Sequence, residues 1–111
     1  MLKPLSLSNF ELMVMLAIIR IGDDAYGVSI SDEIDATTGT EVLLGSVYDA
    51  LTRLEEKGLI ASHLGDATPE RGGRAKRHFR TTPKGLRVVR DTQRALVRLW
   101  KGLPQLRGEG A

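Results

Sequence analysis

The sequence predicts a mainly helical domain carrying one small β-hairpin. Three observations lead there. Apolar residues recur at steps of three and four in three stretches, and a fourth stretch near the N-terminus is apolar on every side. Between residues 59 and 82 the helical period gives way to two extended runs flanking a Gly- and Pro-rich segment, the pattern of a hairpin. At 111 residues the chain is long enough for one real core and too short for two.

The first helix is expected over residues 9–20. Ser8 and Glu11 form a capping box, Leu7 and Leu12 can staple its start, and Gly22 ends it. Its centre, Leu12 to Ile19, is apolar all round. A small domain cannot bury every side of such a helix, so one face is expected to meet a second subunit or a second element. Asp23 and Asp24 suit the N-terminus of a second helix over residues 25–38, with Tyr26, Ile30 and Ile34 inward and Gly39 as its stop. Residues 40–44 make a short extended link. The third helix, over residues 45–57, has the clearest pattern. Val47, Ala50, Leu51 and Leu54 form its buried face, Ser46, Asp49, Arg53 and Lys57 its outward stripe, and Gly58 its stop. Two short helices joined by a short link make a helix-turn-helix.

Residues 59–64 read as a strand, 65–74 as a polar loop and 75–82 as the returning strand. Phe79 is expected inward, with Lys76, His78 and Arg80 on the opposite side. A hairpin with a basic tip after such a helix is the wing of a winged helix. Thr82 as N-cap and Pro83 at the first helical position open the last helix, over residues 83–102. Leu86, Val89, Gln93, Leu96, Trp100 and Leu103 follow a heptad seam with one polar break, the mark of a dimerisation arm. The expected architecture is a winged helix-turn-helix over residues 1–82, a C-terminal dimerisation helix over 83–103 and a flexible tail over 104–111.

Composition narrows the chemistry. There are no cysteines, which excludes disulfides, thiolate metal sites and cysteine nucleophiles. The first ten residues lack the pattern of a signal peptide. The longest apolar run is far short of the roughly twenty residues that span a bilayer, so a soluble, cytoplasmic protein is expected. No paired-carboxylate, Ser/His/Asp or phosphate-loop pattern is present, and no enzyme or cofactor is expected. His63 and His78 can face each other across the hairpin, but without a neighbouring carboxylate or thiol they do not suggest a metal site. Charge is divided: residues 1–66 carry a balance of −7 and residues 67–111 one of +9. From Arg71 to Arg90 there are eight basic residues and no acidic one. This points to a polyanion partner, although a solvated basic face has the same composition.

These elements together resemble the PadR family of bacterial transcriptional regulators, over residues 7–103. The resemblance is carried by Tyr26-Gly27, Gly45-Ser46-Val47-Tyr48, Leu51-Thr52-Arg53-Leu54-Glu55, Gly58-Leu59-Ile60, Gly72-Gly73-Arg74-Ala75-Lys76-Arg77 and Thr82-Pro83-Lys84-Gly85, in that order. The length is similar to that of the short subgroup with one C-terminal helix. His78 and Thr81 depart from the aromatic and leucine more frequent in the family. The resemblance implies a winged helix-turn-helix that dimerises through its first and last helices. It also implies repression in most members, and in some, release from DNA by a phenolic or planar hydrophobic compound.

Double-stranded DNA is therefore the expected partner, bound as a homodimer on an inverted repeat. Ser46, Tyr48 and Arg53 are the expected contacts of the recognition helix, and Arg71, Arg74, Lys76 and Arg77 those of the wing. Tyr48 can instead pack on the second helix, and Arg53 can instead pair on the surface near Glu56. The dimer interface is expected to use Met15, Ile19, Leu86, Val89, Gln93, Leu96, Trp100 and Leu103. Trp100 and Gln93 are the candidates for a small hydrophobic effector's pocket. A winged-helix protein-interaction module is the alternative.

Overall fold

The computed structural model describes residues 7–65 and 75–106. Four helices and one hairpin follow in the expected order: α1 (Asn9–Ile21), α2 (Gly27–Thr38), α3 (Leu44–Glu56), β1 (Ile60–Leu64), β2 (Arg77–Thr81) and α4 (Pro83–Trp100).

The local signals act as read. Ser8 Oγ accepts from the Glu11 N–H at 3.1 Å, and the Glu11 carboxylate accepts from the Ser8 N–H at 2.9 Å. Leu7 and Leu12 both pack against the core. Gly22, Gly39 and Gly58 all end helices with positive φ. After α3 the Leu59 N–H reaches back to the Leu54 carbonyl at 3.0 Å, a closure that needs the left-handed turn at Gly58. Asp23 and Asp24 differ from expectation. They sit in a separate 3₁₀ turn, Gly22–Asp24, and α2 starts later. Ser29 Oγ accepts from the Tyr26 N–H at 2.9 Å and donates to the Asp24 carbonyl at 2.7 Å, fixing that delayed start.

The core lies between α1, α2, α3 and the hairpin. It contains Val14, Met15, Ile18, Ile30, Ile34, Val47, Leu51, Leu54, Leu59, Ile60 and Phe79, all buried. β1 and β2 are antiparallel, with Ser62 opposite Phe79 and His63 opposite His78. The outer edge of β2 is not free, because the Phe79 N–H donates to the Ala25 carbonyl at 2.8 Å. The hairpin is thus sewn to the turn between α1 and α2.

α4 is anchored only near its start. Thr82 Oγ1 caps the Gly85 N–H at 3.0 Å and donates to the Gly58 carbonyl at 2.8 Å. Gly85 lies against the Leu59 carbonyl and the end of the Met15 side chain, so closely that a Cβ there would overlap both. Gly85, Val89 and Thr92 are the buried positions of α4. Thr92 satisfies its hydroxyl on the Val88 carbonyl at 2.7 Å. Beyond Thr92 the helix leaves the core, and Leu96, Val97, Leu99 and Trp100 are exposed.

This geometry corrects the interface reading at Met15, which is a core residue with no exposed surface. Val89 is nearly buried and lines the floor of the groove between α1 and α4. An all-apolar α1 gives no periodic clue to its inward face; the close approach of Gly85 decides that Met15 is inside. Pro104–Leu106, expected to begin a frayed tail, forms a 3₁₀ turn. The wing tip, with Arg71 and Arg74, lies outside the described residues, as do residues 107–111.

Candidate nucleic-acid interface

The site is built on α3. Its inner face of Val47, Ala50, Leu51 and Leu54 is buried to within 2% of complete. That burial holds the opposite face in a fixed orientation. Ser46, Asp49 and Arg53 are exposed along that face. The first turn holds Leu44, Gly45 and Ser46, all exposed.

Tyr48 stands at the edge of this face, 47% exposed. Its ring lies directly over Gly27 at the start of α2, where any Cβ would overlap it. The ring thus packs on α2, the alternative expected for it, and still presents an edge to solvent. The pairing explains why glycine is required after Tyr26.

Arg53 is more constrained than its sequence position suggests. Its Nε donates to Glu11 Oε2 at 2.9 Å, and Lys57 Nζ donates to Glu11 Oε1 at 3.0 Å. Glu11 is the one buried charged side chain among the described residues. Burial pushes its carboxyl up, but the Ser8 N–H, Arg53 and Lys57 outweigh this and hold it at about 2. Arg53 therefore pairs with a carboxylate of α1 rather than with its neighbour Glu56, and half of its side chain stays exposed at 49%. The double role of Glu11 escaped the sequence reading. Its capping function is local, whereas its partners on α3 lie 42 and 46 residues away.

The described part of the wing is also tied down. Lys76 Nζ sits 3.8 Å above the Tyr26 ring, a cation–π contact. Arg77 donates to Ser62 Oγ at 3.0 Å, and Ser62 donates to Glu55 of α3 at 2.7 Å. A polar chain thus links the base of the hairpin to α3. His63 and His78 stack across the hairpin with ring centres 5.6 Å apart, and His78 Nδ1 lies 3.0 Å from the Asp23 carbonyl. Among the described residues no cluster of three or more potential ligands could hold a metal ion, and no helix is long and apolar enough to cross a membrane.

A second feature lies away from α3. A groove of about 520 Å³ runs between α1 and the free half of α4, lined by Leu12, Leu16, Gln93, Leu96, Val97 and Trp100 among others. The structure brings Gln93 and Trp100 together there. Ile19 is exposed on the neighbouring side of α1, and Leu86 and Leu103 are likewise exposed.

The sequence model of the Transcriptional regulator PadR-like family matches residues 15–91, from within α1 into α4. The chain belongs to this family. A PadR family transcriptional regulator from Eggerthella lenta is 30% identical, with a TM-score of 0.68 over 85% of this chain and 80% of that one. A transcriptional regulator from Clostridium thermocellum is 25% identical, with a TM-score of 0.68 over 80% of this chain and 83% of its own. A PadR family regulator from Clostridium difficile shares the fold at 21% identity, with a TM-score of 0.70 over 87% of this chain and 97% of that one. No curated protein matches the chain. The winged helix-turn-helix is the PadR fold. In this PadR-like chain two glycines have direct steric reasons, Gly27 beneath Tyr48 and Gly85 against Leu59.

Proposed function

We propose that this PadR-like regulator is a homodimeric repressor that binds an inverted repeat in double-stranded DNA. Residues 1–82 form the reading head and residues 83–103 the dimerisation helix. The observation that carries this reading is the outward face of α3, with Gly45 and Ser46 in its first turn followed by Tyr48, Asp49 and Arg53, on a helix whose other face is buried. Each α3 enters a major groove, with the two helices of a dimer about one DNA turn apart. Lys76 and Arg77, with Arg71 and Arg74 beyond the described residues, run along the flanking phosphates. Arg53 works from its Glu11 anchor, as a guanidinium already oriented before DNA arrives.

The apolar groove of α1 and α4 supports the dimer. It exposes Leu16, Leu96, Val97 and Trp100 side by side with Gln93, a surface suited to a second copy, and Ile19 is exposed on the neighbouring side of α1. The same groove supports release by a small hydrophobic or aromatic effector, with Trp100 stacking and Gln93 offering one hydrogen bond. The protein acts without catalysis, in the cytoplasm.

The test is fluorescence anisotropy on DNA from upstream of its own gene, against scrambled DNA, at low and physiological salt. Preference for the native DNA that survives added salt supports the reading. Equal binding that collapses with salt refutes it. One observation favours a second reading as a protein-interaction module: Arg53, Lys76 and Arg77 each already have a partner within the chain. A protein that shows no DNA preference and sediments as a monomer would fit that reading instead.

A further inference from the structure

The recognition helix begins with an anomaly. Its N-cap is Leu43, and no side chain caps the first turn from that position. Ser, Thr, Asp and Asn dominate N-caps because a side-chain oxygen satisfies a free N–H there, and leucine supplies none. Leu43 is also 76% exposed, the most exposed large apolar side chain among the described residues. Neither property helps the fold.

The surrounding chain holds Leu43 in this place. Val42 packs against the core, and its carbonyl accepts from Ser31 Oγ of α2 at 3.4 Å. In the extended link the next residue must point the other way. The Val47 N–H then closes the first turn on the Leu43 carbonyl at 3.1 Å. The leucine is thus projected from the leading end of α3, the end that meets base edges when such a helix enters a major groove. The apolar feature of that groove is the C5-methyl group of thymine.

We propose that Leu43 is a specificity-determining residue that packs on the C5-methyl of a thymine in each operator half-site. The inference rests on the operator-binding reading above. It predicts an opposition between stability and recognition. Leu43→Ser supplies the missing cap, so the variant melts higher, by about 4 °C or more. It loses the methyl contact, so it binds its operator about 3- to 5-fold more weakly per half-site. A leucine serving only the fold would not separate the two effects.

The experiment uses the full chain and a duplex enriched by it from a random-sequence library. Each thymine is replaced singly by deoxyuridine, which removes the methyl group and keeps the base's hydrogen-bonding edge. The wild type is expected to lose affinity at one thymine per half-site. Leu43→Ser is expected to be indifferent at that thymine, and Leu43→Met to retain the sensitivity. A wild type and Leu43→Ser that respond alike to every deoxyuridine would overturn the role of Leu43 while leaving the repressor reading intact. A library from which no duplex is enriched would overturn both.

Discussion

Replacing Glu11 by glutamine removes the charge that joins α1 to α3 while keeping the side chain's shape. The carboxyl is held at about 2 instead of its ordinary 4.5. At 1.36 kcal/mol per unit, that difference is worth about 3 kcal/mol at pH 7. Arg53 and Lys57 are partly exposed, and solvent screens their share, so the expected loss is about 2–3 kcal/mol. The sign follows from the depressed value. The stabilisation is complete above the unfolded carboxyl's titration and disappears as pH falls from about 4.5 through about 2. Urea unfolding of wild type and Glu11→Gln at pH 7 and at pH 3 measures it directly. The stability gap at pH 3 should be about half that at pH 7. A gap that is the same at both pH values would refute the electrostatic account and leave only shape and capping as the role of Glu11.

Gly85→Ala places a methyl group against the Leu59 carbonyl, a backbone atom that cannot turn aside. Overpacking of this kind should cost about 2–3 kcal/mol and be seen as a lower melting temperature. Leu96→Asp and Trp100→Glu change side chains exposed within one chain, at 41% and 62%. They should leave circular dichroism unchanged and shift sedimentation equilibrium from dimer to monomer. Unchanged sedimentation would remove this groove from the dimer.

Much of this architecture is legible in the sequence because its signals are local. The Ser8–Glu11 box, the glycine stops and the three- and four-residue steps of α3 each act within a few residues. What stays hidden depends on distant contacts. The inward face of α1 is set by α4, so Met15 reads as easily for an interface as for a core. Thr92 lies off the apolar seam of α4 yet is buried, because its hydroxyl turns back to the Val88 carbonyl. Arg53 looks like a free outward cation until α1 is placed beside it. Leu43 draws no notice in a linear reading, because an exposed leucine is ordinary until its place at the head of α3 is known.

The way α4 is fastened makes it a lever. Its 18 residues are gripped by the core at Gly85, Val89 and Thr92, all in the first part of the rod. From the last gripped position, Thr92, to Trp100 is about 12 Å at 1.5 Å per residue. A tilt of ten degrees there thus sweeps the tip through about 2 Å. The motion also runs backwards, for whatever clamps the tip swings the head through the same angle. Because the hairpin is stitched to the turn before α2 and to α3 through Ser62, the head turns as one solid piece.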